Sequence, residues 1–573
     1  MSSQRIVIDP ITRIEGHLRI ELEASEGRIT NAWACATQFR GIEKILQGRD
    51  PRDAWALAQR ICGVCTGVHA IASVRAVEDA INCSIPVQAE LIRNLVSGMA
   101  ILQDHVMHFY HLHALDWVDV KSALSADPQT TARLAASLSP WPNNSATWFR
   151  EVQQRVAASF AGGQLGIFAS GYWGHPAYRL PPEANLMALG HYLEALKWQR
   201  EIIRLHAIFA GRNPHPNFLV GGMACAINLD NQLTINTVRL DELRGLIAQA
   251  RRFVDQVYYP DLLAIAGFYP EYASIGVSSP NLLATGESGF SCSGAPKAVE
   301  LPAGVLLDGN YRELHPFDPM KIAEFVSSAW YSYPEGEKLG LHPWRGKTEA
   351  HYTGPPPPFT QLSDREKYTW VKAPRYEGRA VQVGPNARLL VAYARGEGET
   401  VRLVNEGLGR LGAGIEALNS TLGRTWCRAL ESLLVARRME QWYDQLLERI
   451  ESGDVATFNP EKWEPESWPK QAQGVGFTEA ARGMLSHWVE IEKGRIARYQ
   501  CVVPSTWNSS GRDPDGQLGP FEHALAAGGR HPLQDPQRPL EVLRTIHSFD
   551  PCESCAVHLL DPAGGSAVTV KAS

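Results

Sequence analysis

The chain has 573 residues, 44% hydrophobic and 20% charged, with 49 glycines and 37 prolines. This is the composition of a globular protein, and it excludes disordered and collagen-like chains. With 55 basic against 61 acidic side chains the net charge is −6, which removes the cationic field that a nucleic acid or an anionic lipid surface would need. No nucleic-acid partner is expected.

Length alone predicts several domains, or one large domain with long insertions. The N-terminal MSSQRIVIDP lacks an apolar core region, and no stretch approaches ~18 uninterrupted apolar residues. Neither a signal peptide nor a membrane span is expected in these residues, so export or membrane contact would come through a partner.

In chain order, IVIDP, the alternating Leu18, Ile20 and Leu22 of HLRIELEA, a turn at 25–27 and ITNAWACA predict a β-hairpin. Residues 52–80 read as helical around a first C-x-x-C. From 88 to about 116, Leu91, Leu95, Met99, Leu102, Val106 and Phe109 recur every three or four residues, which predicts one buried face of a long helix. Two more core helices are expected over 187–209, stopped by Gly211, and over 241–258.

Clusters of Gly, Pro and Ser between about 270 and 365 predict irregular structure. A long helical region over 404–450 ending at Gly453, the loop NPEKWEPESWPKQ and short strands such as ARYQCVV complete the chain. The expected fold class is α+β, predominantly helical: a central long-helix bundle with small peripheral β-sheets.

RICGVCTGVHA carries Cys62, Cys65 and His69, and SFDPCESCAVH carries Cys552, Cys555 and His558. Each C-x-x-C brings two sulfurs within reach of one metal. Together they offer four soft thiolates for zinc, an iron-sulfur centre, or a nickel, iron or copper site. In a structural zinc site such pairs usually stand about 15–20 residues apart, whereas these lie near opposite ends of the chain. Spacing alone leaves structural zinc, a functional metal and redox dithiol chemistry open. Any site joining both pairs would close residues 1–558 into a single unit.

Other motifs have plainer readings. His105, His108, His111 and His113 lack the carboxylate set of a helical metal site and read as partly buried, hydrogen-bonded histidines. Asp104 beside them, near an apolar face, calls for a cationic partner. Gly407-x-Gly409-x-x-Gly412 has the letters of a dinucleotide fingerprint but no βαβ unit around it, so no nicotinamide or flavin site is expected. Glu15, Arg482 and Ser505 carry too little pattern by themselves to name a chemistry.

Taken together, DPITRIEGH, RGIEKIL, RICGVC, GYWGHP, KYTWVKAPRY, RGMLSHW, VVPSTWNSS and SFDPCESCAVH run through the chain in an order that resembles the large subunit of membrane-associated nickel-iron hydrogenases of the uptake type, over essentially its full length. The resemblance implies nickel held by Cys62, Cys65, Cys552 and Cys555. Cys65 and Cys555 would bridge to an iron carrying two cyanides and one carbon monoxide, a centre that splits H2 heterolytically.

By matching motif positions, Arg482 would project over the open side of the metals, held by Asp104 and Asp550. Cys552 would accept the first proton and Glu15 would relay it. His69 would hydrogen-bond a bridging sulfur, and Ser505 would donate to a cyanide. Mg2+ or Fe2+ would bind Glu43, His558 and the carbonyl of Cys501.

The resemblance also implies a small subunit carrying all the iron-sulfur clusters, faced by His215, in a heterodimer or a dimer of heterodimers. Electrons would pass through it to a membrane quinone pathway, with the pair exported to the periplasmic face of the membrane. A maturation endopeptidase would remove residues 559–573 after His558. Three departures stand out: Ala481 where the family usually has Pro, Gln382 and Asn386 in place of Glu and Leu, and Cys501 in place of Leu. Two other functions of similar fold are an H2-sensing regulatory protein, which generally lacks the cleavable tail, and an energy-complex subunit that has lost the metal, against which the intact cysteine quartet speaks.

Overall fold

The structure, a computed structural model, describes residues 4–39, 41–286, 301–354, 362–363 and 366–556. The chain opens with an antiparallel sheet of β1 (Gln4–Ile8), β2 (Leu18–Ser25) and β3 (Arg28–Ala36), in that order. Leu18, Ile20 and Leu22 point inward as their alternation requires.

The central bundle contains α1 (Thr66–Ile81), α2 (Val87–Met107), α3 (Pro182–Ile202), α4 (Thr237–Phe253), α5 (Gly398–Leu411) and α6 (Thr421–Glu451). Its apolar core runs from Ala36 to Cys552. α2 and α6 cross closely at Gly98, where a Cβ would stand 2.9 Å from Met439 Cγ.

Several expectations need correction. The helix expected over 52–80 breaks at the first C-x-x-C: a short helix Ala54–Ala58 and a 3-10 turn Gln59–Ile61 precede the break, and α1 starts after Cys65. Cys62 Sγ accepts the N–H groups of Val64 and Cys65, each at 3.2 Å, and these bonds define a turn instead of a helix. The helix expected over 404–450 is two helices. Gly412 ends α5 in the left-handed conformation (φ 62°), and the Ser420 hydroxyl caps α6 by accepting from Gly423 N at 3.0 Å. Both helices face the same core, so the apolar periodicity carries across the break.

The long helix over 88–116 is present, but its last turns widen into a π-helix, His108–His113, and then tighten into a 3-10 turn, Ala114–Asp116. The helix expected over 241–258 likewise passes through a π-helical turn, Val254–Tyr258, and continues as Tyr259–Ala266. In the 270–365 region the described residues hold short strands: Leu282–Thr285 pairs with Ala303–Leu306, and Ile322–Phe325 pairs with Ala373–Tyr376. Helices Pro128–Leu138 and Ala146–Ala161 were not anticipated, although Asp127 and Ser145 cap them.

A second three-stranded antiparallel sheet, of which only the last strand was foreseen, consists of β4 (Gln471–Ala480), β5 (Gly483–Glu492) and β6 (Arg495–Val502), with β5 in the middle. α1 lies directly on β4. At Gly476 a Cβ would stand 2.0 Å from the Ala72 carbonyl, and at Gly474 2.2 Å from that of Ala76, so glycine alone permits this approach. The close packing fixes the start of α1, and with it Cys65, against the β4–β5 turn.

Candidate metal centre

Four chain segments meet beside the start of α1. The first is the C-x-x-C turn. The second is the hairpin turn between β4 and β5, formed by Ala481 and Arg482. The third follows α7 (Leu540–Ser548), where Asp550 turns the chain at φ 58° toward Cys552. The fourth is the N-terminal loop: Glu15 pairs with Cys552 as a parallel bridge, and Glu553 N donates to the Glu15 carbonyl at 2.8 Å.

The ligand atoms of Cys62, Cys65 and Cys552 lie within 4.8 Å of one another, all buried. Cys552 Sγ is 3.3 Å from that of Cys62 and 3.9 Å from that of Cys65. The backbone of Cys555 lies in the helical turn Glu553–Ala556, and its side chain falls outside the described residues, as do His558 and the tail at 559–573. Three desolvated soft donors at this separation suit a thiophilic transition metal.

Arg482 is buried beside the cluster. Its Nε donates to the Asp550 carbonyl at 2.9 Å and its Nη2 to Asp550 Oδ1 at 3.0 Å, while Nη1 stands 3.7 Å from Asp104 Oδ2. Burial opposes the charge of Arg482, but Asp550, Cys552, Asp104 and Cys65 outweigh it and hold the guanidinium well above its ordinary pKa. Burial pushes the Asp104 carboxyl up to about 7 against the pull of Arg482. Nη1 has no hydrogen-bond partner among the described residues, so Arg482 keeps one donor for a group bound at the cluster.

The remaining expected residues gather around this pair. The Ser505 hydroxyl accepts from Cys552 N at 3.0 Å. A Cβ on Gly63 would stand 3.7 Å from Glu15 Oε1, so that carboxylate lies against the cysteine turn. His69 Nδ1 lies 3.1 Å from His487 Nε2, His487 Nδ1 is 2.7 Å from the Tyr499 hydroxyl, and that hydroxyl donates to Ser73 at 2.9 Å. His215 N donates to the Thr66 hydroxyl at 3.0 Å, which places His215 at the outer side of the cysteine turn.

Of the helical histidines, His105 contacts Glu431 at 2.7 Å, His108 the His547 carbonyl at 2.6 Å and His111 the Tyr192 carbonyl at 3.3 Å. His113 is buried with neither ring nitrogen hydrogen-bonded among the described residues.

Farther along, Glu43 accepts from Cys501 N at 2.8 Å and from the Thr348 hydroxyl. Lys372 Nζ is 3.1 Å from Gln500 Oε1 and 3.5 Å from Glu324 Oε2. Burial pushes the Glu324 carboxyl up to about 7 against the pull of Lys372; the carboxyl oxygens of Glu43 and Glu324 are hard donors of the kind that suit a hydrated divalent cation. A cleft of about 380 Å³ lined by Glu43, Lys44, Thr348 and Arg498 opens this end to solvent.

A family model for nickel-dependent hydrogenases matches residues 40–558, and one described as HoxL-like matches residues 5–39. The chain belongs to the nickel-dependent hydrogenase family. This hydrogenase chain is 50% identical to the uptake hydrogenase large subunit of Rhizobium leguminosarum bv. viciae, over 98% of this chain and 96% of that one. It is 46% identical to the hydrogenase-1 large chain of Escherichia coli (strain K12), over 100% and 97% of the two chains. Among solved structures, the Ni-Fe-Se hydrogenase from D. vulgaris Hildenborough in the as-isolated oxidized state matches with a TM-score of 0.76 at 32% identity, covering 97% of this chain and 100% of that one. The hydrogenase is a large subunit of the uptake type, with the expected α+β fold and a nickel-iron centre.

Two residues beside the cluster were missed by sequence reasoning: His487, next to His69, and Arg428, which donates to the Ala481 carbonyl at 2.8 Å and to that of Phe549 at 2.8 Å. His487 stands in RGMLSHW without a spacing that singles it out. Arg428 had a signal: a basic residue inside the apolar stretch TWCRALESLL of a core helix needs buried partners.

Proposed function

We propose that this chain is the catalytic large subunit of an H2-oxidising hydrogenase. The observation that carries the reading is the meeting of buried thiols from both ends of the chain beside the buried guanidinium of Arg482. Cys62, Cys65, Cys552 and Cys555 would hold nickel, with Cys65 and Cys555 shared by an iron carrying two cyanides and one carbon monoxide. When bound, the centre supplies an electron-rich site that polarises H2 and takes up its electrons.

The chain's own residues do the rest. Arg482 holds a fixed positive charge at the cluster, oriented by Asp104 and Asp550; its planar fork is what a lysine would lack. The Cys552 sulfur takes the proton, and Glu15 passes it outward, since its segment runs alongside Cys552. His69 would orient one of the cysteine sulfurs that hold the centre, and Ser505, which accepts from Cys552 N, would use its hydroxyl hydrogen to donate to a cyanide. Ala481, where the family usually has Pro, lines the same wall with a smaller side chain. Glu43, the Cys501 carbonyl and His558 would hold Mg2+ or Fe2+.

Residues 1–558 act as one unit with an iron-sulfur small subunit in a heterodimer, and His215 faces its nearest cluster. Electrons then pass to a membrane quinone pathway at the periplasmic face. An endopeptidase trims residues 559–573 after His558.

The test is H2-dependent dye reduction by the purified two-subunit enzyme. Sustained turnover that is lost in Cys62→Ser and in Cys552→Ser is expected. Metal-loaded protein that binds H2 with only trace turnover would contradict the reading and favour a sensor.

A further inference from the structure

Arg428 belongs to none of the four segments that meet at the cluster, yet it bonds to two of them, the Ala481–Arg482 turn and the chain that follows α7. It sits mid-helix on α6, 2% exposed. Its Nη1 donates to the Ala481 carbonyl at 2.8 Å, one residue before Arg482. Its Nη2 donates to the Phe549 carbonyl at 2.8 Å and reaches the Ser548 carbonyl at 3.4 Å, which caps the end of α7 where the chain turns toward Asp550. Nη1 also stands 3.7 Å from Asp550 Oδ2, an attraction between charges and not a hydrogen bond, while the other oxygen of that carboxylate receives Arg482.

We propose that Arg428 is a positioning residue of the hydrogen-splitting site: one guanidinium joins the loop carrying Arg482 to the loop carrying Asp550 and Cys552, and so sets Arg482 beside the thiols without touching them. The inference rests on the function proposed above.

Arg482 stands in a two-residue hairpin turn, and Asp550 adopts a left-handed backbone conformation (φ 58°), which Asp tolerates better than most non-glycine residues. The bonds holding both turns converge on the same fork of donors, so a shift of one turn is transmitted to the other. Because the contacts to Ala481, Phe549 and Asp550 all come from one planar guanidinium, they stand or fall together. A lysine would reach one of these acceptors and not the set.

Arg424, one turn earlier on α6, provides a contrast. It grips the same C-terminal segment through the Ser548 hydroxyl at 2.9 Å and the Phe549 ring at 3.8 Å. Among the described residues none of its hydrogen bonds reaches Ala481 or Asp550; its other donors serve the Asn419 and Gly276 carbonyls.

The experiment compares Arg428→Gln, Arg428→Lys and Arg424→Gln in the purified two-subunit enzyme. It reads metal content, the infrared bands of the iron-bound diatomic ligands, and kcat and KM for H2. For Arg428→Gln we expect wild-type metal content, displaced or broadened bands, and a fall in kcat that approaches ~100-fold, the scale set by a roughly 1 Å misplacement of a reacting group, with KM nearly unchanged. Arg428→Lys should recover part of kcat. Arg424→Gln should lower the unfolding midpoint and leave bands and kcat alone.

Unshifted bands with wild-type kcat in Arg428→Gln would overturn the proposal. So would an equal loss in Arg424→Gln, which would mean general loosening, or the failure of both Arg428 variants to load metal, which would place the residue in folding. A wild-type enzyme without the bands or without H2 turnover would instead defeat the underlying functional reading.

Discussion

Glu15 and Cys552, near opposite ends of the chain, lie side by side as parallel extended segments, and the amide of Glu553 donates to the Glu15 carbonyl at 2.8 Å. The contact is close enough to exclude a side chain at the next position: a Cβ on Gly16, whose φ is +84°, would stand 2.5 Å from Ser554 N. The N-terminal sheet is thus fastened to the C-terminal cysteine motif, and the carboxylate of Glu15 is held against the C-x-x-C turn.

That placement predicts the behaviour of Glu15→Gln. The amide keeps the shape and cannot relay a proton, so H2-dependent dye reduction should fall on the order of 10²–10⁴-fold, with metal content and infrared bands unchanged. A wild-type rate would remove Glu15 from the proton route.

Packing of α1 on β4 gives a second prediction. Gly476→Ala places a methyl 2.0 Å from the Ala72 carbonyl, so the helix must lift, at a cost of ~1–3 kcal/mol or more. Its unfolding midpoint should fall and its metal content should drop, because Cys65 stands at the N-cap of that helix. Gly409→Ala, in α5 with nothing within 4 Å of the added Cβ, should instead be neutral or stabilising by ~0.5–1 kcal/mol. Calorimetry of the two variants checks the contrast, and equal midpoints would refute it.

The cysteine pairs were legible because thiolate chemistry is written in residue type and short spacing. Leu18, Ile20 and Leu22, and the apolar face of α2, were legible because period two and period 3.6 survive burial. The break between α5 and α6 was hidden because the apolar pattern runs through it, and only Gly412 and Ser420 mark it. β4 was hidden by Gly474 and Gly476, which look like loop residues and are there to admit α1. Arg482 was recognisable by resemblance alone; its partners Asp104 and Asp550 lie far away in sequence. His487 acts through contacts that no local pattern encodes, and at Arg428 the local pattern shows a need for buried partners without showing which they are.

A third prediction concerns acid stability. His531 is buried, 2.7 Å from the Thr545 hydroxyl, and burial lowers its pKa from 6.5 to about 4. Above pH 6.5 both folded and unfolded states are neutral, and the contribution is whole. As pH falls toward 4 the unfolded state takes up the proton first, so about 3 kcal/mol of stability is lost across that window. His531→Gln should flatten this part of the stability profile measured by denaturant titration; an unchanged acid slope would count against it.

A fourth prediction concerns the tail. Mass spectrometry of active enzyme should show a chain ending at His558. Fully active protein that retains residues 559–573 would refute the proposed maturation step.

The most direct test of the nickel-iron reading is infrared spectroscopy of the purified two-subunit protein, in the window between amide and C–H absorption. One carbon monoxide band and two cyanide bands are expected, and all three should disappear in Cys552→Ser. Their absence from processed, metal-replete wild-type protein would contradict the proposed centre and leave the thiol cluster to another metal.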